Sequence, residues 1–514
     1  MSLKSLARLA VVISNAVMGA TSTFANSTAC TDATFTFPCG QLPGTSPISI
    51  TADPAVNITT ASLFPGTSTA GQVTASFCNV TVTYTHPRKK DSISVSVGLP
   101  SLESWNGRMQ ALGGGGYSGS FGLLYTHQAV AKGFVSVDTD AGHVKGTGPS
   151  QSPSTWALIG AGVVNTALVE DWGSLSLHEM AVIGKAVTET YYGTGPKYSY
   201  FGGCSGGGRQ ALMISQRFPS DFDGIVATAP AINIENFLPA GFWAAQVMNK
   251  LGAFPAPCEI EAFTVVGQSF NCSGTTRKFT SAGATVVDAA WTGPRSSTNV
   301  SLGWFGVNKD AAIASYYIPT QCDVSNTNCS VGTGGSLFGS WFNYFLAKDP
   351  NFDVASMTNE QCFSFLAHSQ QEYDSLLAAA NPNLTDFRNA GGKMIIWHGL
   401  ADEAVPINGT KAYYKQVLDI LPDAPSFARF FTAPGVGHCI AGAGAIPNGA
   451  FDQLMAWVEN GTVPETLAAV SQTTGSHISN LCAWPLQQVY LGGDATDPSS
   501  YGCRADPAAS PFYQ

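Results

Sequence analysis

The chain has 514 residues, of which 44% are hydrophobic and only 11% are charged, and its formal net charge is −10. This length exceeds what one simple core needs and fits one large elaborated domain or two to three units. The basic run Arg88-Lys89-Lys90 stands alone in the sequence, so the composition argues against binding to nucleic acids and to anionic membranes.

Residues 1–25 have the pattern of a secretory signal peptide. Lys4 and Arg8 precede an apolar run, and small residues near Ala20 and Ala25 offer cleavage positions. The apolar run is too short to span a bilayer. We therefore expect a secreted, extracellular protein that is not bound to a membrane.

The cysteines number twelve, and an even number in a secreted chain predicts that all of them are paired. Position along the chain favours pairing Cys30 with Cys78, Cys258 with Cys272, Cys322 with Cys329, and Cys482 with Cys503. Cys362 then needs a more distant partner, for which Cys39 is the candidate. Glycosylation is predicted from Asn-x-Ser/Thr sequons at Asn57, Asn79, Asn271, Asn299, Asn328, Asn383, Asn408 and Asn460.

The N-terminal part predicts strands at 78–84 and 93–97, joined by a turn from His86 to Asp91. A further apolar run, Met109–Leu112, ends in four glycines, which form either a flexible turn or a loop whose amides can approach a ligand. The next strand, at 131–138, leads into the polar residues Asp138, Asp140 and His143. A long amphipathic helix is predicted at 170–191, and its His178 is expected to pack or to cap.

The stretch Tyr198–Arg209 reads YSYFGGCSGGGR. Its alternating aromatic start predicts a short strand, and the residues after the glycines predict a helix. A strand, a Gly-x-Ser-x-Gly turn and a helix form the nucleophile elbow of α/β-hydrolases, so Ser205 is the candidate nucleophile. The amide of Gly206 at the helix N-terminus is a candidate oxyanion donor. With the elbow present, Gly115 or Gly116 fits the second donor.

Strands and helices stop alternating after a predicted buried strand at 222–230. Residues 232–385 contain five of the cysteines and many aromatic residues, which predicts a lid domain inserted over the carboxyl edge of the sheet. The pattern returns with strands at 392–398 and 427–432 and helices at 410–421 and 450–460. The expected fold is therefore α/β, with an α/β-hydrolase core at 26–231 and 386–514.

Ser205, Asp402 and His438 each follow a predicted strand, in the order that α/β-hydrolases use. A serine hydroxyl is a poor nucleophile, so His438 is expected to remove its proton while Asp402 orients the imidazole. Glu403 is the alternative acid. His143 and His398 are alternative bases, although His398 at a strand end is better explained by packing.

Two cysteines adjoin this constellation, since Cys204 precedes Ser205 and Cys439 follows His438. If they pair, the disulfide ties the nucleophile to the base; otherwise each pairs elsewhere or fills the core. This Cys-Ser…Asp…His-Cys arrangement resembles the fungal tannase and feruloyl esterase B family. Further resemblance lies in Gly113 to Tyr117, Asp138 to His143, Gly202 to Gln210, Pro257-Cys258-Glu259, Trp291 to Arg295, and His398 to Asp402.

The resemblance implies hydrolysis of plant phenolic esters such as ferulates, p-coumarates or gallates, including esters that can be linked to polysaccharide. It maps the catalytic triad onto Ser205, Asp402 and His438 and a triad-bridging disulfide onto Cys204 and Cys439. No organic cofactor is implied. A narrow-specificity esterase or lactonase of secondary metabolism, or a silent binding protein with a hydrolase fold, are the alternatives.

The chain departs from the family pattern in the lid. Family lids usually carry an acidic calcium loop, whereas here the segment after Cys258 runs almost directly into Val266–Cys272. Glu259 and Glu261 alone supply too few oxygen ligands for a calcium ion, so we expect no bound metal.

Overall fold

The computed structural model describes residues 29–61, 72–122, 128–143, 152–262, 264–314, 316–318, 320–323, 328–331 and 337–505. Its central sheet is built from β1 Ser46–Ala61, β2 Gln72–Thr85, β3 Ile93–Leu99, β4 Arg108–Leu112, β5 Val135–Thr139, β6 Tyr198–Cys204, β7 Gly224–Thr228, β8 Lys393–Gly399 and β9 Ala428–Ala433. These nine strands lie in the order β1-β2-β3-β5-β4-β6-β7-β8-β9. The six strands β4 to β9 pair in parallel. Strands β1 to β3 form an antiparallel extension, which joins the parallel part where β3 pairs with β5.

Among the described residues, the α-helices are α1 Thr166–Glu170, α2 Ser176–Tyr192, α3 Gly206–Arg217, α4 Ile234–Gly241, α5 Trp243–Leu251, α6 Pro257–Ala262, α7 Ser281–Thr292, α8 Leu337–Trp341, α9 Asn359–Leu377, α10 Thr385–Asn389, α11 Ile407–Ile420 and α12 Ala450–Asn460. Small two-stranded sheets pair 158–160 with 163–164, 269–272 with 275–278, 320–322 with 329–331, 466–470 with 477–482, and 487–490 with 501–504.

Helices cover both faces of the parallel strands, which explains why these strands are apolar on both sides. Along β6, Phe201 belongs to the apolar cluster that contains α2 and α3, while its neighbour Tyr200 belongs to the cluster around Leu454 and Trp457 of α12. A parallel sheet between helical layers confirms the predicted α/β class and the α/β-hydrolase type of core.

Residues between β7 and β8 form most of a second apolar cluster. Trp243 of α5, Val286 of α7 and Trp341 of α8 are buried in it. Tyr117 from the loop after β4 joins the same cluster, and its hydroxyl donates to the carbonyl oxygen of Leu337 at 2.8 Å. The inserted segment therefore packs directly on the glycine loop. The domain boundaries at 231 and 386 stay a prediction.

The predicted helix at 170–191 is interrupted. α1 begins at Thr166, a π-helical turn spans Asp171–Leu175, and α2 continues from Ser176. The carbonyl oxygens of Trp172 and Gly173 in this turn accept hydrogen bonds from the buried guanidinium of Arg209. Periodicity in the sequence cannot reveal such a turn, because it depends on a partner from another helix.

Five disulfides are present among the described residues. Four are the pairs expected from chain position, Cys30–Cys78, Cys258–Cys272, Cys322–Cys329 and Cys482–Cys503, and the fifth is Cys204–Cys439. The expectation that all twelve cysteines pair is wrong, as is the suggested pair of Cys39 with Cys362. Both are free thiols, and Cys39 is exposed whereas Cys362 is buried on α9. An even count permits complete pairing but does not require it.

The predicted signal peptide at 1–25 lies outside the described residues. Within the described part of the chain, no helix is long and apolar enough to cross a membrane.

Candidate active site

Ser205 lies in a sharp turn between β6 and α3. Its backbone has φ 62° and ψ −119°, a strained region for a residue with a side chain. The turn is held from both sides, because the Ser205 amide donates to the carbonyl of Thr228 and its carbonyl accepts from the amide of Ala231, each at 3.1 Å. Strain that the surrounding structure enforces is typical of a nucleophile elbow.

The glycines around Ser205 are required by close backbone contacts. A Cβ atom at Gly203 would lie 2.6 Å from the backbone of Gly207, and one at Gly208 would lie 2.4 Å from the carbonyl oxygen of Thr228. Any side chain at these positions would push the helix away from the strand. The composition of the motif therefore follows from the tight strand-to-helix passage.

The glycine loop after β4 lies against the start of α3. A Cβ atom at Gly206 would be 3.2 Å from the carbonyl oxygen of Gly116 and 3.3 Å from Cα of Gly115. The three candidate oxyanion donors are therefore neighbours. Gly206 follows Ser205 in the chain, and Gly115 and Gly116 border the same cavity as Ser205. Their role as donors stays a prediction.

Gln210 fastens this loop to the elbow helix, a role that the sequence did not reveal. Its side-chain Oε1 accepts from the amide of Gly114 at 2.9 Å, and its Nε2 donates to the carbonyl of Gly119 at 3.0 Å. The side chain is buried. A single amide thus fixes both ends of the glycine loop relative to α3.

Asp402 and His438 meet at the carboxyl ends of β8 and β9. The Nδ1 atom of His438 lies 2.9 Å and 3.1 Å from the two carboxylate oxygens of Asp402. The amides of Ala404 and Val405 donate to Oδ1 of Asp402 at 2.8 and 2.7 Å, which fixes the carboxylate. The alternative acid, Glu403, instead accepts from the backbone amide of His438 at 2.9 Å.

The electrostatics of this pair suit an acid that stays ionised and a basic imidazole. Burial by itself would raise the pKa of Asp402, but the facing imidazoles of His438 and His398 hold it well below its usual range. Burial by itself would lower the pKa of His438, but the charge and hydrogen bond of Asp402 raise it above its ordinary value.

His398 contacts the same acid from the other side. Its Nε2 lies 3.0 Å from Oδ2 of Asp402 and 3.2 Å from the carbonyl of Val405, while Nδ1 lies 3.0 Å from the hydroxyl of Thr410. Both partners of Nε2 are acceptors, so Nε2 carries a proton. His398 is fully buried, so it is a packed residue, as expected, but one that also orients the acid.

The other two histidines weighed from the sequence lie elsewhere. His143 stacks on Trp156 with ring centroids 4.0 Å apart, and burial lowers its pKa to about 3. His178 stacks on Phe218, and its Nδ1 lies 2.9 Å from Oδ2 of Asp221, consistent with the expected packing role. Neither histidine contacts Asp402.

The Cys204–Cys439 disulfide joins the elbow to the histidine loop. Its Cα atoms are 5.9 Å apart, and a ring nitrogen of His438 lies within 4.8 Å of both sulfur atoms. Ser205 and His438 consequently border one cavity. Within the described part of the chain, the Ser205 hydroxyl makes no hydrogen bond; such bonds often form only when substrate is present.

This cavity has a volume of about 450 Å³. Its walls near the serine come from the glycine loop, the inserted segment and the histidine loop: Gly115, Gly116, Phe121, Phe237, Tyr316, Leu337, Val405 and Ile440. The walls expose more apolar than polar surface, and their polar side chains include Gln110, Gln128, Lys132 and Asp452. A mainly apolar pocket with some polar groups is typical of a site for a small organic ligand.

Comparison with known proteins agrees with this geometry. The family model described as tannase and feruloyl esterase matches residues 78–268 and 262–504. The chain belongs to the tannase and feruloyl esterase family. As a member of this family it is a carboxylic ester hydrolase.

Individual relatives extend over nearly the whole chain. A probable feruloyl esterase of Arthroderma benhamiae is 35% identical, covering 86% of this chain and 88% of that protein. Feruloyl esterase B of Aspergillus niger is 28% identical, covering 84% and 87%. The solved structure of a tannin acyl hydrolase from Aspergillus niger is 25% identical with a TM-score of 0.81, covering 93% of this chain and 95% of that one.

Proposed function

We propose that the protein hydrolyses phenolic carboxylic esters through an acyl-enzyme formed on Ser205. The observation that carries this proposal is that the Cys204–Cys439 disulfide holds the elbow serine and the Asp402–His438 pair at one cavity. Catalytic groups must be fixed within about 0.5 Å, and a covalent link between their neighbours serves that need.

In this mechanism His438 accepts the proton of Ser205 as the hydroxyl attacks the acyl carbon, and then returns it to the leaving alcohol. Asp402 keeps the proton of the imidazole on Nδ1 and stabilises the imidazolium. The amide of Gly206, together with that of Gly115 or Gly116, stabilises the negative oxygen of the tetrahedral intermediate. Water then attacks the acyl-enzyme with His438 acting again as the base.

The acyl group that we assign is a hydroxycinnamoyl or galloyl unit. Relatives named feruloyl esterase and tannin acyl hydrolase support this class. The aromatic side chains Phe121, Phe237 and Tyr316 border the cavity beside the serine and offer flat apolar surfaces to a phenolic ring. Their arrangement does not distinguish between these acids.

Initial rates on methyl ferulate, methyl p-coumarate, methyl gallate and an aliphatic p-nitrophenyl ester test the assignment. We expect a strong preference for one phenolic ester and no hydrolysis by Ser205→Ala. Ser215→Ala is a matched control, because this buried serine on the same helix bonds only the carbonyl of Leu212 in the described structure. Hydrolysis of the aliphatic ester alone would refute the phenolic assignment.

We further propose that the protein is secreted. Five disulfides are typical of proteins that fold in an oxidising compartment. The sequence of residues 1–25 supports the same location. Expression with residues 1–25 removed should retain the protein in the cell, and export of that truncated form would contradict the proposal.

A further inference from the structure

A buried group of ionisable side chains lies away from the candidate active site. It is formed by the turn between β2 and β3 and by the start of the π-helical turn. His86 Nδ1 lies 2.7 Å from Oδ2 of Asp91 and 3.9 Å from Oδ1 of Asp171. One ligating atom from each of the three residues lies within 4.8 Å of the others.

Asp171 makes this group unusual. Its side chain has no exposed surface, and neither carboxylate oxygen accepts a hydrogen bond from any residue that the structure describes. The ammonium of Lys89 and Nδ1 of His86 each lie 3.9 Å from Asp171 Oδ1, but Lys89 bonds Glu170 at 2.6 Å and His86 bonds Asp91 at 2.7 Å instead. A buried carboxylate without donors is costly, so such a group calls for a further partner.

The imidazole of His86 is already oriented towards this point. Its Nε2 lies 2.7 Å from Oε1 of Glu179, whose other oxygen accepts from the hydroxyl of Tyr84 at 2.6 Å. A carboxylate behind the far nitrogen of a histidine is the arrangement that fixes the tautomer of metal-ligating histidines. Nδ1 donates its proton to Oδ2 of Asp91, and a metal ion bound there would replace that proton while Nε2 keeps its proton towards Glu179.

We propose that His86, Asp91 and Asp171 bind a divalent transition-metal ion, with Glu179 as the residue that orients the imidazole. One imidazole and two carboxylates are a donor set suited to Zn²⁺ or Mn²⁺. Ligand atoms around a tetrahedral zinc ion lie roughly 3.4 Å apart, given its bond lengths. The observed separations of 2.7 and 3.9 Å lie on either side of that value.

The three proposed ligands lie outside residues 232–385 and do not border the cavity at Ser205. The sequence expectation of no metal rested on Glu259 and Glu261 of the lid, and Oε1 of Glu259 accepts from the amide and hydroxyl of Thr280 in the structure. The proposed ligands come instead from segments 86–91 and 171, which sequence spacing does not connect. An ion there would join the antiparallel extension of the sheet to the π-helical turn.

The test is metal content and zinc titration of the untagged protein after dialysis against a chelator. We expect one Zn²⁺ per chain by calorimetry and a higher melting temperature with zinc, since a ligand of the folded state stabilises it. Asp171→Asn should weaken zinc binding at least about tenfold. His86→Gln should do the same and provides a second variant if Asp171→Asn does not fold.

Two control variants alter ionisable groups that lie outside the proposed ligand set. Glu170→Gln removes the neighbouring carboxylate that bonds Lys89, and His178→Gln removes another carboxylate-paired histidine; both should bind zinc as the unaltered protein does. Stoichiometric zinc or manganese binding that is lost only in Asp171→Asn and His86→Gln supports the site. Absence of stoichiometric binding, or equal affinity in Asp171→Asn, overturns it and leaves Lys89 and His86 as the cations beside Asp171.

Discussion

The imidazole of His398 and the carboxylate of Asp402 are both fully enclosed and lie 3.0 Å apart, from Nε2 to Oδ2. Asp402 therefore receives a donor on the side away from His438. We expect His398→Leu to lower kcat about ten- to hundredfold, because a hydrogen bond to a charged group contributes about 1.5–3 kcal/mol. The Michaelis constant should change little, since His398 does not border the cavity.

Steady-state kinetics of that variant beside Thr410→Val and His398→Gln separate orientation from packing. Thr410→Val removes only the hydrogen bond between the Thr410 hydroxyl and Nδ1 of His398, so it should lower kcat much less than His398→Leu does. His398→Gln retains a polar side chain and should recover part of the rate. An unchanged kcat in His398→Leu would refute an orienting role.

The pH dependence follows from the raised pKa of His438. The base must be neutral to accept a proton, so kcat/KM should rise with pH through the pKa of His438 in the free enzyme. Because Asp402 raises that pKa, the acid limb should have its midpoint above 6.5, the ordinary value. A midpoint at or below 6.5 would contradict the assigned pair.

Asp402→Asn removes the charge that raises the pKa of His438. The acid limb of the residual activity should shift to lower pH, and kcat should fall by about four orders of magnitude because the wrong tautomer of His438 is favoured. Glu403→Gln is the control, since Glu403 accepts only from the backbone amide of His438 within the described structure and its charge raises the pKa of His438 less than Asp402 does. A larger loss in Glu403→Gln than in Asp402→Asn would reverse the assignment of the acid.

Gln210 should affect turnover more than stability. Gln210→Leu frees both ends of the glycine loop, and a displaced oxyanion donor should lower kcat about 10- to 100-fold. Gln216→Leu is the matched control, because Gln216 lies on the same helix but its side-chain amide donates to the carbonyl of Ala379 and the hydroxyl of Tyr413, not to the glycine loop. Hydrolysis rates and melting temperatures of the two variants separate an effect on turnover from an effect on stability. Equal kcat values in Gln210→Leu and Gln216→Leu would contradict the role of Gln210.

The disulfide beside the triad should contribute to both stability and activity. The two cysteines are 235 residues apart in the sequence, and the loop-entropy model gives about 5 kcal/mol of stabilisation for closing such a loop. Cys322 and Cys329 are only 7 residues apart, so their disulfide should stabilise the fold less. The double variant Cys204→Ala/Cys439→Ala should lose activity at temperatures where it remains folded. Circular dichroism reports whether each variant is folded, and hydrolysis rates report its activity. The control variant Cys322→Ala/Cys329→Ala should keep its activity wherever it is folded.

Thiol titration checks the disulfide pattern. Cys39 is exposed, whereas Cys362 is buried, and burial raises the pKa of its thiol to about 12. A thiol reagent should therefore label Cys39 in the native protein and Cys362 only after denaturation. Simultaneous absence of both thiols would mean that these cysteines pair after all.

The sequence predicts those features that depend on local pattern and chain order. The elbow around Ser205 and the strands before Asp402 and His438 are local, and the structure brings all three to one edge of the sheet. Their catalytic roles stay predictions. Arg209 ends the elbow stretch Tyr198–Arg209 and Gln210 follows it, yet their hydrogen-bond partners come from distant segments, so no local pattern indicates what they hold.

Cysteine pairing could likewise be predicted where the partners are close in the sequence and not where they are distant. Pairs between neighbouring cysteines, such as Cys258–Cys272, could be inferred from position. Cys39 and Cys362 could not be resolved, because counting cysteines says nothing about which side chains meet. The His86 group was missed for a similar reason, since Asp171 reaches it only after the sheet and α2 have packed together.

The most direct test of the central claim is mass spectrometry of the protein after reaction with a fluorophosphonate ester. The proposed mechanism predicts one adduct per chain, located on Ser205, with parallel loss of esterase activity. The same adduct should be absent in Ser205→Ala and present in Ser215→Ala. An adduct on another residue, or full hydrolysis by Ser205→Ala, would contradict an acyl-enzyme on Ser205.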